Sequence, residues 1–548
     1  MLLHSGLRWL PGLAGLLLVV LGLVIFFRPQ TLKWMWIELR LLGPDLHRLV
    51  QDGNPARLPA DERWGLVGVM LVFLALTVIL DLRIPLRYDE AYTYMEFARH
   101  SFWQAISDYH VVNNHIFHTL LVHLSTRLWG SGWLAIRLPA LMATLLLLPG
   151  LYALGRRLYD GGIGLAAAGM FAFSPVFILY ATSARGYAWV MLFTVWLFLL
   201  ALRLQTGCDR AAWLLLIVCG ALGMWTIPIM VYPLAGVYLW LFFQAVLQRP
   251  DGISFLRRVA GLASSGMAMV ALTLVLYTPA FGRDWLAGFL TRNEKAVLPL
   301  DVFLSNLGIW VRAPFEEWLA GYSGPVIGLL GVGLLLSLLL HARLSRWRTP
   351  PFAAVLAAIC VILVVQRPEP ITRMWSWLAS LFFLACVSGV AGGVHLFLQR
   401  RERWQPALPF TFFILGVAAS SLALAAQFEP LLQSPGYEAP RVTAYLQSIL
   451  VPDDVVVVAS HTDAMYWYEF EQAGIPENAI RGIKLRPFRR ALVIVHPGER
   501  ETLETVLEET GPDAVFLDLD STILLQRFAD VEVYAVQAVH EGVEKAFP

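Results

Sequence analysis

Long runs of apolar residues recur along the chain and are separated by short polar connections. Each run approaches the roughly 20 residues that an α-helix needs to cross the hydrocarbon core of a bilayer. The pattern therefore predicts about twelve membrane-spanning helices, some of them tilted or short. The predicted spans lie at roughly 10–27, 64–81, 134–154, 162–181, 186–204, 211–227, 228–247, 260–280, 326–340, 352–366, 378–398 and 407–427.

The composition supports a multi-pass membrane protein. The chain has 548 residues, of which 58% are hydrophobic and only 15% are charged, whereas a soluble protein typically carries about 25% charged residues. The net charge of +1 gives no indication of a nucleic-acid partner. The apolar core at 10–27 is long for a signal peptide, so we predict that this helix is retained.

The positions of the basic residues predict which connections face the cytoplasm. Lys and Arg favour cytoplasmic connections, and here they cluster in alternate ones, namely 28–63, 156–157, 249–258, 343–348 and 400–403. The alternation is consistent only if 113–132 lies along the membrane surface rather than crossing it. The segment 82–133, the loop 281–325, the turn 366–377 and everything after about residue 428 then face the extracytoplasmic side.

The C-terminal part of the chain has a different pattern. Short runs of β-branched and apolar residues at 454–460, 491–496 and 513–518 alternate with more helical stretches. Buried strands that alternate with helices predict a small α/β domain. We place this domain at residues 437–548, on the extracytoplasmic side.

An acidic pair follows the predicted span at 64–81, in the motif Tyr88-Asp89-Glu90-Ala91-Tyr92. One interpretation is a helix cap that complements the helix dipole. The other is acid/base chemistry at the membrane surface, with Tyr88 and Tyr92 at headgroup depth. Because adjacent helical residues point in different directions, at most one of the two acids serves as a base, and the other orients it or binds substrate.

A polar segment, Asn113-Asn114-His115, lies on the same predicted side. Its amides and imidazole suit a phosphate or sugar hydroxyl groups held beside Asp89. With His118, which shares a helical face with His115, a divalent-metal site is an alternative, although two histidines without a further ligand pattern are a weak signal. Histidines that bind only water or lipid headgroups are the third alternative.

Three arginines, Arg137, Arg185 and Arg373, stand at predicted extracytoplasmic membrane borders. A cation near the hydrocarbon is costly and commonly faces a cavity or pairs with an anion. The alternative for any one of them is a side chain that extends its charge to the headgroups. Together they suit a lipid-linked phosphate, because a guanidinium binds phosphate through two parallel hydrogen bonds.

These motifs follow one another in a recognisable order. Asp-Glu-Ala-Tyr, a surface helix, the Asn/His segment, Arg-Leu-Pro-Ala, Gly-Arg-Arg-Leu-Tyr, Ser-Pro and Ala-Arg-Gly-Tyr succeed one another within roughly 64–204. The order resembles the polyprenyl-phosphate-sugar-dependent membrane glycosyltransferases of the GT-C fold. It is most similar to the family 39-like branch that contains protein O-mannosyltransferases and lipid A aminoarabinose transferases.

The resemblance implies a fold and a reaction. The fold is an all-α, GT-C-like membrane domain at 64–427 with a catalytic loop at 82–133, preceded by an additional helix and cytoplasmic loop at 1–63 and followed by the α/β domain. The reaction moves a hexose or pentose from a polyprenyl-phosphate donor, with inversion, to an extracytoplasmic acceptor that is a protein, lipid or glycan. It requires no cofactor, and a divalent metal is an alternative that no sequence pattern supports. The expected location is a bacterial inner membrane or plasma membrane.

The resemblance also assigns roles to residues. Asp89 matches the family's catalytic base and Glu90 its acidic neighbour, while Arg373 occupies a position that lies near the lipid phosphate in family members. The chain departs from the family at Asn114-His115-Ile116, where relatives often carry Lys before a Pro-Pro pair, so its donor-phosphate contacts are expected to differ. The predicted substrate-binding residues are Tyr88, Tyr92, Asn113, Asn114, His115, Arg137, Arg185, Tyr187 and Arg373.

A transporter or flippase of a lipid-linked or anionic substrate is the alternative function. Transporters usually keep their charges within the spanning helices and often contain internal repeats. Here the charges gather at one predicted membrane face, which favours an enzyme.

Overall fold

The computed structural model describes residues 29–207, 209–247, 252–280, 297–369, 371–398, 408–432, 436–480, 488–510 and 516–539. The predicted span at 10–27 lies outside these residues, as do residues 281–296 of the predicted loop 281–325 and residues 513–515 of the third predicted strand.

Helices dominate the described part of the chain. In chain order they are α1 Pro29–Asp52, α2 Ala60–Asp81, α3 Tyr88–Thr93, α4 Phe102–Ser107, α5 Ile116–Trp129, α6 Trp133–Leu158, α7 Gly161–Ala172, α8 Pro175–Ala181, α9 Tyr187–Leu204, α10 Arg210–Thr226, α11 Val231–Leu247, α12 Gly252–Tyr277, α13 Leu300–Trp318, α14 Gly324–Leu344, α15 Pro351–Gln366, α16 Ser376–Leu398, α17 Leu408–Ala426, α18 Phe428–Leu432, α19 Ala439–Ile449, α20 Asp463–Ala473 and α21 Leu503–Thr510.

Seven helices among the described residues are long and apolar enough to cross a membrane, or eight if α7 and α8, bent by 67°, form one span. Three shorter apolar helices coincide with further predicted spans, at Arg210–Thr226, Pro351–Gln366 and Phe410–Ala426. A multi-pass helical membrane protein is confirmed, whereas the total of about twelve spans stays a prediction. The seven candidates are Ala60–Asp81, Trp133–Leu158, Tyr187–Leu204, Pro228–Leu247, Ile253–Ala280, Gly324–Leu344 and Thr372–Phe397.

Two long helices lie in segments that the hydropathy pattern left as connections. Helix α1 falls in the predicted cytoplasmic loop and α13 in the predicted loop 281–325. Both mix apolar and charged residues, so a criterion based on apolar runs passes over them. Helix α5, in the segment predicted to lie along the surface, has 14 residues, fewer than the roughly 20 that a crossing needs.

The described residues form two compact units. One contains those within 1–72, 143–176 and 187–422, and the other those within 73–142, 177–186 and 423–548. The predicted catalytic loop at 82–133 and the predicted tail domain therefore belong to the same unit. We refer to this second group as the loop–tail unit.

Close helix packing in the first unit depends on small residues. A Cβ atom at Gly389 in α16 would lie 1.7 Å from the carbonyl oxygen of Gly333 in α14, so the two backbones are in direct contact. Small residues at a helix crossing allow this approach. Inside a membrane no hydrophobic driving force acts between helices, so dispersion contacts between the close backbones stabilise the packing.

The tail contains a four-stranded sheet of order β1-β2-β4-β3. Strands β1 and β2 are parallel, and β4 is antiparallel to both β2 and β3. The first two strands agree with the predicted runs at 454–460 and 491–496, whereas the long hairpin of β3 and β4 was not predicted. Many side chains of β3 are exposed, so it lacks the apolar pattern of a buried strand. The strands are β1 Asp454–Val457, β2 Arg490–Val495, β3 Leu517–Arg527 and β4 Glu532–Ala538.

The tail shares a hydrophobic core with the catalytic loop. Buried side chains of the loop, such as Met95 and Ala98, pack in one cluster with Met465 and Tyr466 of α20. At the edge of this cluster Arg99 lies 4.6 Å from the Trp467 ring and forms an ion pair with Glu471. Burial of apolar area, which contributes about 25 cal/mol per Å², therefore holds the loop against the tail.

One glycine, Gly436, lies against both segments, since a Cβ atom there would meet Met465 of the tail and, at 3.5 Å, the carbonyl oxygen of Leu86. Gly436 has a φ of +94°, and a Cβ atom there would lie 2.2 Å from Met465 Sδ. We expect Gly436→Ala to destabilise the loop–tail unit by about 1–3 kcal/mol, because alanine is strained at positive φ and also displaces Met465. The measurement is the thermal midpoint of the detergent-purified protein, together with the protease sensitivity of the tail.

Gly474→Ala is the matched control for this prediction. Gly474 also has a positive φ, of +71°, but a Cβ atom there would meet open space. Its cost is expected to be about 1–2 kcal/mol from the backbone alone. Equal destabilisation by both substitutions would show that contact with Met465 contributes nothing.

Candidate functional site

The acidic pair lies at the start of α3, directly after a break in the chain direction. Helix α2 ends at Asp81, and Pro85 precedes the new helix that begins at Tyr88. The backbone N–H of Arg87 donates to Glu90 Oε2 over 2.9 Å. An acid at the third helical position accepts this hydrogen bond in a capping box. The helix start thereby turns the Glu90 carboxylate back towards residue 87.

The Glu90 carboxylate is buried and surrounded by donors. It is 1% exposed and accepts from Arg137 Nε over 2.9 Å, from Arg137 Nη2 over 2.8 Å and from the Ala184 N–H over 2.6 Å. Burial raises the pKa of Glu90, but the Arg137 guanidinium and these hydrogen bonds outweigh it and lower the pKa to about 2. Glu90 is therefore a fixed anion that supports the site.

Arg137 is the partner that holds this anion. Its side chain is 0% exposed. Beyond Glu90 it donates to the carbonyl oxygens of Asp81 over 3.3 Å, Ile84 over 2.6 Å and Pro85 over 2.9 Å. All five guanidinium hydrogens are thus used, three of them on carbonyls at the end of α2 and in the turn that follows it. This geometry favours a clamp over the predicted contact with donor phosphate.

The Asp89 carboxylate has a different environment from that of Glu90. Its side chain is 29% exposed, and its Oδ2 lies 3.8 Å from Arg185 Nη2. The Asp89 backbone is fixed separately, since its carbonyl accepts from Thr93 Oγ1 over 2.7 Å and from Arg185 Nη1 over 3.3 Å. Asp89 is therefore a positioned and solvent-accessible carboxylate beside a guanidinium.

Arg185 connects three segments of the loop–tail unit and is 4% exposed. Its Nη1 donates to Thr93 Oγ1 over 3.0 Å and to the Asn113 carbonyl over 3.2 Å. Its Nη2 lies 3.2 Å from His115 Nε2. Arg185 thus brings the Asn/His segment to Asp89, while its contact with a donor phosphate stays a prediction.

His115 and the two asparagines serve this arrangement in different ways. The Gly186 N–H donates to His115 Nδ1 over 2.9 Å, which holds the ring with Nε2 towards Arg185. Asn113 contributes its carbonyl to Arg185. Asn114 is 1% exposed and donates to the carbonyls of Ala105 over 3.2 Å and Asp108 over 2.6 Å. Asn114 therefore closes the loop, and its geometry does not favour the predicted contact with substrate.

His118 lies behind this cluster and is 0% exposed. Burial lowers the pKa of His118 to about 3, so the ring is neutral. In the described parts of the chain, no group of three or more His, Cys, Asp or Glu side chains has an arrangement that would hold a metal ion.

The remaining predicted residues lie in several places. Tyr88 and Tyr92 are half-buried on α3, with ring centroids 5.9 Å apart. Tyr187, at the start of α9, is buried. Arg373 is exposed in a short 3-10 helix, Thr372–Trp375. Tyr187 and Arg373 belong to the other compact unit, and their roles in substrate binding stay predictions.

Sequence reasoning missed two residues of this arrangement. Arg87 donates through Nη1 to the Thr182 carbonyl over 2.8 Å, which ties α3 to the turn that carries Arg185. Thr93 bridges Asp89 and Arg185 through its hydroxyl. The proximity of Arg87 to the acidic pair was a usable signal, whereas nothing in the sequence distinguishes Thr93 from other helical threonines.

Comparisons with known proteins agree with this fold. Residues 115–277 match the family model of dolichyl-phosphate-mannose-protein mannosyltransferases. The apo structure of ArnT from Cupriavidus metallidurans is 16% identical with a TM-score of 0.52, over 86% of this chain and 97% of that chain. The same protein bound to undecaprenyl phosphate is 14% identical with a TM-score of 0.52, over the same shares. No curated protein matches the chain significantly.

At these identities the solved structures establish the fold, and the family model adds the similarity in sequence. The predicted resemblance is confirmed. The chain is a multi-pass membrane protein of the GT-C fold, similar to the glycosyltransferases that use a sugar linked to a polyprenyl phosphate.

Proposed function

We propose that this protein transfers a sugar from a polyprenyl-phosphate donor to an acceptor on the extracytoplasmic side of a cell membrane, with inversion at the anomeric carbon. The class of reaction, transfer of a lipid-linked sugar, rests on the match to the mannosyltransferase family model and on the fold. Both favour an enzyme over the alternative of a transporter or flippase. The acceptor is a protein, lipid or glycan, and the sugar is a hexose or a pentose.

The observation that carries the assignment of the base is the contrast between the two neighbouring acids. Glu90 is 1% exposed and fully paired, whereas the Asp89 side chain is 29% exposed. A general base must reach the proton that it abstracts. Asp89 meets this condition, so we assign it as the base and Glu90 as a positioning residue.

The proposed chemistry uses few groups. The acceptor hydroxyl or amine attacks the anomeric carbon and passes its proton to Asp89, while the bond between that carbon and the phosphate oxygen breaks. The leaving group is the polyprenyl phosphate, an already stable anion, so no strong general acid is needed on that side. Arg185, 3.8 Å from Asp89, orients the base and adds positive charge where the anion departs.

The test is transfer in proteoliposomes that contain the purified full chain. Undecaprenyl-phosphate mannose and undecaprenyl-phosphate aminoarabinose, each labelled in the sugar, are supplied with cell-envelope acceptors, and the products are identified by mass spectrometry. We expect covalent transfer of one labelled sugar, with inverted anomeric configuration, only in vesicles with protein. Movement of the intact lipid between leaflets without transfer would contradict the proposal and favour a flippase.

A further inference from the structure

A polar cavity lies in the unit that contains most of the spanning helices. It has a volume of about 310 Å³, at the lower end of the range of ligand sites. Four arginines line it and come from four separate segments: Arg48 on α1, Arg157 at the end of α6, Arg203 at the end of α9, and Arg346 after α14. Arg48, Arg157 and Arg346 belong to connections predicted to be cytoplasmic, and Arg203 lies at the end of the predicted span 186–204.

Ion pairs neutralise part of this positive charge. Arg203 donates through Nη1 to Asp52 Oδ2 over 2.7 Å and also forms an ion pair with Asp209. The other oxygen of Asp209 accepts from the Ala212 N–H over 2.9 Å. Arg48 forms an ion pair with Asp45. These pairs hold Arg48 and Arg203 in place in the wall of the cavity and neutralise the nearby carboxylates.

Arg157 and Arg346 have no such partner among the residues that the structure describes. The half-buried Arg157 guanidinium is repelled by those of Arg203 and Arg346 and is attracted only by Asp52. Arg157 is half-buried and Arg346 is exposed, so their mutual repulsion is partly screened, and an anion between them would relieve it. Gly207, beside the cavity, leaves open space where another residue would place a Cβ atom.

We propose that this cavity binds a phosphate-bearing anion, with Arg157 and Arg346 as its principal ligands. Guanidinium groups bind phosphate oxygens in pairs through charge-assisted hydrogen bonds. The ligand is either the headgroup of an anionic phospholipid from the adjacent leaflet or a free phosphate. The site is separate from the cluster around Asp89, since none of its lining residues belongs to the loop–tail unit.

The experiment compares two probes on the detergent-purified full chain. Retention of phosphatidylglycerol is measured by native mass spectrometry, and stabilisation by inorganic phosphate is measured by thermal unfolding at constant ionic strength. The test variant is Arg157→Gln/Arg346→Gln. The control, Arg57→Gln/Arg343→Gln, removes two exposed arginines that do not line the cavity and lie on the same predicted side, so both variants have the same net charge.

We expect the affinity for at least one probe to fall about tenfold or more in the test variant, because hydrogen bonds to charged groups are lost, and about twofold or less in the control. Loss of lipid retention assigns the site to a phospholipid headgroup, and loss of phosphate stabilisation alone assigns it to a free phosphate. Equal behaviour of the two variants with both probes would overturn the proposal. If the double variant does not fold, Arg346→Gln replaces it with Arg343→Gln as the control, since both side chains are exposed.

Discussion

Replacing Asp89 with asparagine should lower the turnover of sugar transfer by about 10²–10⁴-fold, the usual contribution of a general base. The side chain keeps its shape but loses the ability to accept a proton. In the proposed step Asp89 accepts the proton of the acceptor and does not hold the donor. The Michaelis constant for the donor should therefore change little while the turnover number falls. The measurement is initial rates of transfer in proteoliposomes across a range of donor concentrations.

Two further variants make this result specific. Glu96→Gln neutralises another acid of the same loop, within the turn of π-helix at Tyr94–Ala98, and should leave the turnover near that of the wild type. Asp89→Glu keeps the carboxylate and should recover part of the rate. An Asp89→Asn protein that transfers sugar at the wild-type rate would show that the base is another group.

Breaking the Glu90–Arg137 pair should instead destabilise the protein. Each partner is buried, at 1% and 0% exposure. Glu90→Gln or Arg137→Met would remove the direct partner of the other charge and leave it only a weaker contact, from Arg137 Nε to Asp81 Oδ1 over 3.8 Å or from Arg87 Nη1 to Glu90 Oε2 over 3.9 Å. The expected loss is about 3–5 kcal/mol of unfolding free energy. The measurement is thermal and denaturant unfolding in detergent, with Asp89→Asn as the control that retains wild-type stability.

The double variant Glu90→Gln/Arg137→Met separates pairing from packing. When both charges are removed, neither member of the pair is left facing an empty partner position, and only the longer contacts to Asp81 and Arg87 are lost. The cost should therefore be clearly smaller than the sum of the two single costs. A Glu90→Gln protein with wild-type stability and lost turnover would contradict the positioning role. That result would place Glu90 in the chemistry itself.

The pH dependence of stability gives an independent check on Glu90. Its pKa is lowered in the folded state to about 2, below the value of about 4.3 for an unperturbed glutamate. The stabilisation from this shift is therefore fully present above about pH 4.3 and is lost as the pH falls towards 2. The wild type should show this loss on acidification, and Glu90→Gln should not.

The accuracy of the predictions made from the sequence differed between the membrane spans, the tail and the candidate site. The apolar windows coincide with described helices from Ala60 onwards, because the length and hydropathy of a span are properties of a continuous segment. The β3–β4 hairpin was missed, since an exposed strand carries no apolar signature. The separate tail domain stays a prediction, although the tail and the loop share one hydrophobic core.

What the sequence determined by itself is the membrane class, the positions of most spans, the acidic motif and the likeness to lipid-linked sugar transferases. These features depend on local composition and on the order of motifs. Only the tertiary structure decided which acid is accessible and which arginine is a clamp. Glu90 meets Arg137 and Ala184 across 47 and 94 residues of chain. No local pattern encodes these contacts, because burial and pairing arise only when distant segments pack together.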